Sequence, residues 1–310
     1  MSEGQHCSPG EEVPQASIII PAFRSEATIA QSLATMLAQD FRTYEVIVID
    51  SGPDDRTEQI VRARFPSVRY LHSQERLLPH AARNHGVDLA RSDILVFTDP
   101  DIYAPPTWLS RLVSAHRKLG GAVAGGLACH GRDWVEMGMH LCKFDPWLPG
   151  GIERRIDICP TANMACARSV LAVAGGFPEQ SILGDTLLSW RLTQLSIPIW
   201  FAPRAVVEHH HLGTWSGLVQ ERFARGQEFA ASRIEHGMWS GGRILRQLMV
   251  TAVPLRLARL VSRGLRNASR ARLLAEYLRV SPVVVTGQAA WLRGEAVAYL
   301  RALLRTTESA

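Results

Sequence analysis

The 310-residue sequence has very little lysine and no apolar stretch of transmembrane length. Lys118 and Lys143 are its two lysines, so arginine carries almost all of the positive charge. The longest uncharged, largely apolar runs, residues 247–255 and 280–292, are shorter than the roughly 18–20 residues of a membrane-spanning helix. We therefore predict that no segment crosses a bilayer.

Cysteine is also scarce. The sequence has five cysteines, an odd number, and no Cys-x-x-Cys pair, which is typical of a protein in a reducing compartment. The first sixteen residues are acidic, contain proline and glycine, and lack the apolar segment of a signal peptide. We expect a cytoplasmic protein with a flexible N-terminus over residues 1–15.

Charge is unevenly distributed along the chain. The net charge is +5, but residues 243–310 contain twelve arginines and three glutamates, whereas the remaining residues carry an excess of four negative charges. Arginine interleaved with apolar side chains favours peripheral contact of residues 243–305 with an anionic membrane, at the inner face of the cell membrane. An amphipathic helix packed on the protein itself or on a second copy explains the same pattern. No nucleic acid partner is expected, because no recognisable reading module accompanies the arginines.

Apolar runs and helical periodicity alternate through the first 120 residues. The predicted strands are 17–21, 45–50, 68–71 and 94–99, and the predicted helices are 28–38, 57–65, 78–90 and 108–119. Because these strands are apolar throughout, we predict an α/β fold with a mostly parallel sheet covered on both faces. Further strands are predicted at 163–167, 199–202 and 206–208, and further helices at 185–194, 218–236, 243–266 and 270–279, with breaks at Pro254 and Pro282.

Two aspartates, Asp99 and Asp101, directly follow the fourth predicted strand. Carboxylates at i and i+2 after a buried strand can both point at one hard cation, Mg²⁺ or Mn²⁺, which prefers oxygen ligands and also binds diphosphates. The same pattern occurs in an ordinary turn, where aspartate and proline are favoured. The pair alone leaves both interpretations open.

Further segments occur in a fixed order around this pair. They are IIIPAFRSE at 18–26, VIVIDSGPDDRT at 46–57, ARNHG at 82–86 and TDPD at 98–101, then Asn163, GGF at 175–177, GD and WRL within 184–192, and PRAVVEH at 203–209. In this order the sequence resembles the inverting family 2 glycosyltransferases of the GT-A fold, over about residues 16–211. The resemblance implies a GT-A (Rossmann-like) catalytic domain over 16–236 with a mixed, mostly parallel sheet and flanking helices. A basic amphipathic helical region would follow over 237–310.

The resemblance also assigns roles to individual residues. Asp185 would be the catalytic base, and Asp101 and His209 would bind Mg²⁺ or Mn²⁺. The donor nucleotide and sugar would contact six residues: Pro21, Phe23, Glu26, Asp50, Arg83 and Asp99. Arg222 or Arg225 is a further candidate contact to the donor diphosphate.

Each role has a plain structural alternative, and three positions depart from the family pattern. Asp185 would also suit the start of a helix, Arg83 a helix surface, and His209 a solvated strand end. Ser51 replaces an aspartate that often contacts the base, and Gly184 stands where many members carry glutamate. Leu187 replaces an aspartate two residues after the base.

The resemblance implies a metal-dependent, inverting glycosyltransferase acting on a glycan or lipid-linked hydroxyl acceptor, in cell-surface or lipid-linked glycan synthesis. A UDP-sugar donor is favoured, and GDP- or dTDP-sugars stay open because of Ser51. A nucleotidyltransferase of related fold is one alternative, although residues 21–26 lack the glycines of its phosphate loop. A catalytically weak membrane-surface scaffold derived from a glycosyltransferase is the other.

Overall fold

A computed structural model describes residues 12–131 and 133–308 of the chain. Most of the predicted flexible N-terminus, residues 1–15, lies outside this part. The described residues form one sheet of nine strands: Ala16–Ala22 (β1), Tyr44–Asp50 (β2), Arg69–His72 (β3), Ile94–Thr98 (β4), Ile102–Tyr103 (β5), Ala122–Cys129 (β6), Arg154–Arg155 (β7), Asn163–Ala167 (β8) and Ile199–His209 (β9). Within the same residues lie twelve α-helices: Ile29–Leu37 (α1), Arg56–Arg64 (α2), Pro79–Leu89 (α3), Trp108–Leu119 (α4), Trp134–Phe144 (α5), Arg168–Val173 (α6), Gly184–Gln194 (α7), Trp215–Gly237 (α8), Gly241–Ala252 (α9), Pro254–Arg270 (α10), Leu274–Arg279 (α11) and Ser281–Glu308 (α12).

The sheet combines two parallel groups. Its strand order is β3-β2-β1-β4-β8-β6-β9-β5, and the short β7 pairs with β9. Strands β1 to β4 are parallel, β6 and β9 are parallel, and β8 runs antiparallel between the two groups. The predicted mostly parallel α/β sheet is confirmed. Its carboxyl-end edge gathers the loops that follow β1, β2 and β4, where ligands of such sheets bind.

Both faces of the sheet are buried, as the apolar strands predict. In β1, Ile18 and Ile20 belong to one core with Leu33 of α1 and Leu109 of α4. Ile19, which points to the opposite face, belongs to a second core that includes Leu188 of α7. Burial of each such aliphatic side chain contributes about 1.5–3 kcal/mol. The alternation of one strand between two cores explains why its sequence has no polar face.

The prediction for the middle of the chain lacks β6, β7, α5 and α6, and it is wrong about one strand. Residues 199–202 and 206–208 are not two strands but one, β9, and the prediction of two is wrong. The register with β6 pairs Gly125 with Ala202 but Gly126 with Val206, so residues 203–205 form a bulge. The amide of Asn163 fixes this bulge, because its Nδ2 donates to the carbonyl oxygens of Gly126 and Ala205 at 2.9 and 2.8 Å. A bulge absorbs Pro203 without ending the strand.

The C-terminal helices pack on the rest of the protein. Helix α12 approaches α8 so closely that a Cβ on Gly226 would lie 2.2 Å from the Trp291 carbonyl oxygen. Arg256 of α10 forms an ion pair with the fully buried Glu295 of α12. The predicted break at Pro254 is confirmed, since α9 ends at Ala252 and α10 begins at the proline. No helix in the described residues is long and apolar enough to cross a bilayer.

Candidate active site

A cavity of about 550 Å³ opens at the carboxyl ends of β1 and β4. It is lined by Arg222 and Arg225, the further candidates, and by seven of the nine residues to which the resemblance assigns a role: Pro21, Phe23, Arg83, Asp99, Asp101, Asp185 and His209. A larger groove of about 900 Å³ lies along α4 and β9, but its one acidic residue, Glu153, is paired with Lys118 at 2.6 Å. The smaller cavity contains the carboxylates of Asp99, Asp101 and Asp185 and the imidazole of His209, and it is therefore the candidate active site.

An acidic cluster stands at the floor of this cavity. Asp99, Asp101 and His209 each place one oxygen or nitrogen within 4.8 Å of the other two, and His209 Nε2 lies 3.8 Å from Asp101 Oδ1. The two-residue strand β5 creates this arrangement, because it begins directly after Asp101 and pairs Ile102 with His209. The cluster fits a divalent cation. An imidazole nitrogen beside two carboxylates suits Mn²⁺ better than Mg²⁺, which prefers oxygen ligands throughout.

His209 is held ready to act as a neutral ligand. Its ring stacks on His211 with centroids 4.1 Å apart, and Phe144 covers it at 5.1 Å. Burial, assisted by the nearby Lys143 charge, keeps the pKa of His209 well below its ordinary value. His211 is in turn fixed by His140, whose Nδ1 lies 3.1 Å from His211 Nε2. The histidine is therefore already unprotonated at neutral pH, as metal binding requires.

Arg83 of α3 connects the helix to the acidic cluster. Its Nη2 donates to Asp99 Oδ1, and its guanidinium is almost fully buried. Asn84, the next residue, holds the Gly-Gly-Phe loop, since its side chain exchanges hydrogen bonds of 2.9 and 3.0 Å with the backbone of Phe177. The helix-surface alternative for Arg83 does not describe its position, because the side chain points into the cavity wall.

Asp185 lies in the first turn of α7 and faces the same cavity. Its Oδ1 accepts a hydrogen bond of 2.7 Å from the Thr186 amide. Burial raises the pKa of Asp185, and the charges of Arg225 and Arg83 oppose that shift. A raised pKa makes this carboxylate a stronger base than an exposed aspartate, and its place at a helix N-terminus favours the ionised form.

His80 explains why position 184 is glycine. A Cβ on Gly184 would lie 2.4 Å from Cγ of His80, so the imidazole occupies the space of any larger side chain. The ring stacks on Phe177 with centroids 5.5 Å apart. Burial and the adjacent Arg83 charge hold the pKa of His80 far below its ordinary value, so the ring is neutral. A neutral histidine thus fills the space beside position 184, where the family pattern often has glutamate.

The contact between Gly184 and His80 predicts a strong coupling between the two positions. We expect Gly184→Ala to lower the free energy of unfolding by about 1–3 kcal/mol, because an added methyl overpacks the site. In a His80→Ala background the same change should cost much less. Urea unfolding of the four members of this double-mutant cycle measures the coupling, and additive costs would contradict it.

Five cationic side chains line the cavity: Arg76, Arg83, Lys143, Arg222 and Arg225. Glu221 forms ion pairs with two of them, Lys143 at 2.9 Å and Arg225 at 3.1 Å. No sequence pattern indicates a role for Lys143 beyond the rarity of lysine. Positive charge in this wall suits an anionic ligand.

Arg222 has no carboxylate partner within the described residues. Its Nη2 lies 3.4 Å from Gln288 Oε1, its guanidinium stacks over Trp291 at 4.2 Å, and its buried Nε has no hydrogen-bond partner there. Trp291 and Gln288 belong to α12, so the C-terminal region completes the cavity wall. Sequence reasoning missed Trp291, because no local pattern links it to a site some 70 residues earlier.

Two of the predicted donor contacts have other partners. Asp50 is fully buried, and its oxygens accept hydrogen bonds from the Gly52 amide at 2.8 Å and the Tyr70 hydroxyl at 2.7 Å. Glu26 forms an ion pair with Arg56 at 2.9 Å. In the described part of the chain, neither lines the cavity, whereas Phe23 stands at its rim with Arg76 stacked over the ring at 4.7 Å.

Comparison with known proteins agrees with this geometry. Residues 17–171 match the family described as Glycosyl transferase family 2. Glycosyltransferase AglE of Haloferax volcanii is 27% identical over 225 residues, which are 69% of this chain and 73% of that protein. The pre-mycofactocin glycosyltransferase of Mycobacterium tuberculosis is 24% identical over 299 residues, 89% of this chain and 62% of that protein.

Solved structures show the same fold. The mannosyltransferase PcManGT from Pyrobaculum calidifontis, in complex with GDP-Man and Mn²⁺, matches with a TM-score of 0.57 at 20% identity, over 96% of this chain and 80% of that one. GalNAc-T7 with UDP, GalNAc and Mn²⁺ matches with a TM-score of 0.53 at 15% identity, over 65% of this chain and 44% of that one. The chain belongs to glycosyl transferase family 2 and is a glycosyltransferase of the GT-A fold.

Proposed function

We propose that this enzyme is a metal-dependent, inverting glycosyltransferase that moves a sugar from a nucleoside diphosphate to a hydroxyl acceptor. One observation carries the proposal: a single cavity holds the isolated carboxylate Asp185 and the separate cluster of Asp99, Asp101 and His209. Inverting transfer needs a base for the acceptor and a positive charge for the leaving diphosphate. It needs no covalent nucleophile.

In the proposed reaction, the acceptor hydroxyl oxygen attacks the anomeric carbon while the bond to the β-phosphate oxygen breaks. Asp185 takes the hydroxyl proton. Its raised pKa supports this role, since the carboxylate then holds the proton more strongly than an exposed aspartate would. The acceptor oxygen attacks from the face opposite to the leaving diphosphate, so the configuration at the anomeric carbon inverts.

The leaving nucleoside diphosphate would meet the positive wall of the cavity. A divalent cation held by Asp101 and His209, with Asp99 beside it, would neutralise charge that develops on the diphosphate. Arg222, which has no carboxylate partner in the described residues, and Arg225 would contact the same phosphates. Pro21 and Phe23 line the cavity and would contact the nucleotide. The buried hydroxyl of Ser51 donates to the Leu77 carbonyl at 3.3 Å.

The donor base and the acceptor are proposed by class. A UDP-sugar is favoured, with GDP- and dTDP-sugars as the other candidates, and the two structural relatives were solved with GDP-Man and with UDP. A glycan or lipid-linked acceptor used in cell-surface or lipid-linked glycan synthesis is the proposed second substrate. The relative AglE is named only as a glycosyltransferase, so it does not narrow the acceptor.

Calorimetric titration of the full chain with UDP, GDP and dTDP, each with and without Mn²⁺, tests the proposal. We expect one of the three to bind, with affinity at least about tenfold higher when Mn²⁺ is present. Binding that ignores Mn²⁺ would contradict the metal dependence. Binding of none of them would favour the non-catalytic scaffold. Once a donor is known, the anomeric configuration of the product, measured by NMR, tests inversion.

A further inference from the structure

Helix α9 has apolar side chains on its outer face. Ile244 and Thr251 face the protein and are buried, as expected for a packed amphipathic helix. The opposite face is also apolar, and it continues past the end of α9 into the first residues of α10. Its exposed fractions are high: Leu245 50%, Met249 64%, Val250 41%, Val253 48% and Leu255 57%. Core packing explains the inner face but leaves the outer face without a role.

The charge around this apolar face has one sign. Residues 241–270 contain seven arginines and no aspartate or glutamate. Arg256 and Arg263 are used inside the protein, where they form ion pairs with Glu295 and Asp145. The other five arginines of this stretch form no ion pair with any described residue. Arg243 stacks over the Trp239 ring at 4.5 Å. The remaining four are exposed: Arg246, Arg259, Arg266 and Arg270.

We propose that this outer surface docks on a bilayer that contains anionic phospholipid. The docking surface consists of Leu245, Met249, Val250, Val253 and Leu255, flanked by Arg246 and Arg259. Exposed apolar side chains beside arginines are the composition of a helix that lies in the membrane interface. The apolar side chains would enter the boundary of the acyl chains, and the arginines would contact the lipid phosphates.

Charge decides between a membrane and a second copy of the chain. A symmetric dimer across this face would bring the same unpaired arginines of both copies together, and like charges across an interface are costly. An anionic lipid surface pairs them instead. The ion pair between Arg256 and Glu295 fixes α10 to α12, and it thereby holds the docking surface in place on the protein.

The docking surface lies near the cavity along α12. Trp291 of α12 lines the cavity, and Tyr299 of the same helix packs with Ile244 of α9. Eight residues of α-helix separate Trp291 from Tyr299, a distance of about 12 Å. If the proposed glycosyl transfer is correct, an acceptor anchored in the membrane would be presented close to Asp185. This consequence rests on the proposed function, whereas the docking itself does not.

Vesicle sedimentation of the full chain tests the docking. We expect binding to vesicles of phosphatidylcholine with phosphatidylglycerol, weak binding to phosphatidylcholine alone, and loss of binding at high salt. Each arginine near the surface contributes about a fivefold change in partitioning, so Arg246→Gln/Arg259→Gln should weaken it about 25-fold. Met249→Ser/Val253→Ser should weaken binding by a factor that does not change with salt over the range in which binding is still measured.

Matched controls lie far from this surface in the sequence and are equally exposed. Val173→Ser removes an apolar side chain that is 66% exposed, and Arg42→Gln removes an exposed arginine. Both should sediment like the parent chain, and all variants should keep its nucleotide affinity. Equal binding to neutral and anionic vesicles would overturn the proposal, as would parent-like sedimentation of the two double variants. A dimer in solution that Met249→Ser/Val253→Ser dissociates would assign the surface to a second copy and also overturn it.

Discussion

Asp185→Asn should lower kcat about 1,000-fold while leaving the affinity for the donor nucleotide unchanged. A positioned general base contributes about 10²–10⁴ in rate, and an amide cannot take the acceptor proton. The fold should tolerate the change, because the asparagine Oδ1 can accept the same hydrogen bond from the Thr186 amide. Steady-state kinetics with the donor identified by calorimetry, together with nucleotide titration of the variant, measure both quantities.

Asp157→Asn is the matched control for Asp185, since it makes the same change at an exposed aspartate outside the cavity lining. It should have parent-like kcat. An Asp185→Asn variant that binds the donor weakly but turns over normally would contradict the base assignment and indicate a donor contact instead.

The pH dependence gives an independent test of Asp185. A base must be unprotonated, so kcat should fall as the pH is lowered through the pKa of this carboxyl group. Burial raises that pKa, so the acid limb should lie above the ordinary aspartate range. The limb should be absent from the residual activity of Asp185→Asn. An acid limb that the variant retains would assign the ionisation to another group.

Local sequence patterns predicted the elements that carry the site. Strands β1, β2 and β4 are uninterrupted apolar runs, and Asp99 and Asp101 follow the last of these directly. Because parallel strands end at one edge of a sheet, the sequence alone predicts that the residues following these strands lie close together. The position of His209 in the family pattern predicts a metal ligand, and the structure brings this residue next to Asp101.

The features that the sequence did not predict depend on contacts between residues far apart in the chain. Strand β5 has two residues, too few for any periodicity, yet its pairing with β9 brings Asp101 beside His209. The fit of His80 against Gly184 joins positions a hundred residues apart, and Trp291 reaches the cavity from the last helix. Such contacts depend on how elements meet, which residue types alone do not specify. Donor roles for Asp50 and Glu26 stay predictions, since both carboxylates are occupied by neighbours.

The contribution of α12 also changes how the C-terminal region can be tested. Removal of residues 243–310 would take away Trp291, Gln288 and the buried Glu295, and so would expose the apolar side of α8. A truncated chain would lose membrane contact and cavity wall together. Point variants on the exposed face of α9 separate these effects, because they leave α12 in place.

Asp101→Asn should remove the Mn²⁺ dependence of nucleotide binding and lower kcat by about 1,000-fold or more. A cation that stabilises a leaving diphosphate contributes several kcal/mol, and about 4 kcal/mol corresponds to three orders of magnitude in rate. The variant keeps the size of the side chain but removes the charged ligand oxygen. Glu208→Gln is the matched control, since it removes a carboxylate one residue from His209 that is 51% exposed and contacts His130. It should bind Mn²⁺ and nucleotide like the parent chain.

The release of a proton when Mn²⁺ binds tests the metal site independently of enzyme activity. Burial and the neighbouring Asp99 charge raise the pKa of Asp101, whereas burial lowers that of His209. In the metal-free protein a proton therefore competes for Asp101 but not for the imidazole. Mn²⁺ affinity should fall as the pH is lowered through the raised pKa of Asp101, and binding should release a proton. Calorimetry of Mn²⁺ binding in buffers of different ionisation enthalpy measures that proton. If Mn²⁺ binding to the parent chain releases no proton, or if binding to Asp101→Asn still releases one, the proton does not come from Asp101.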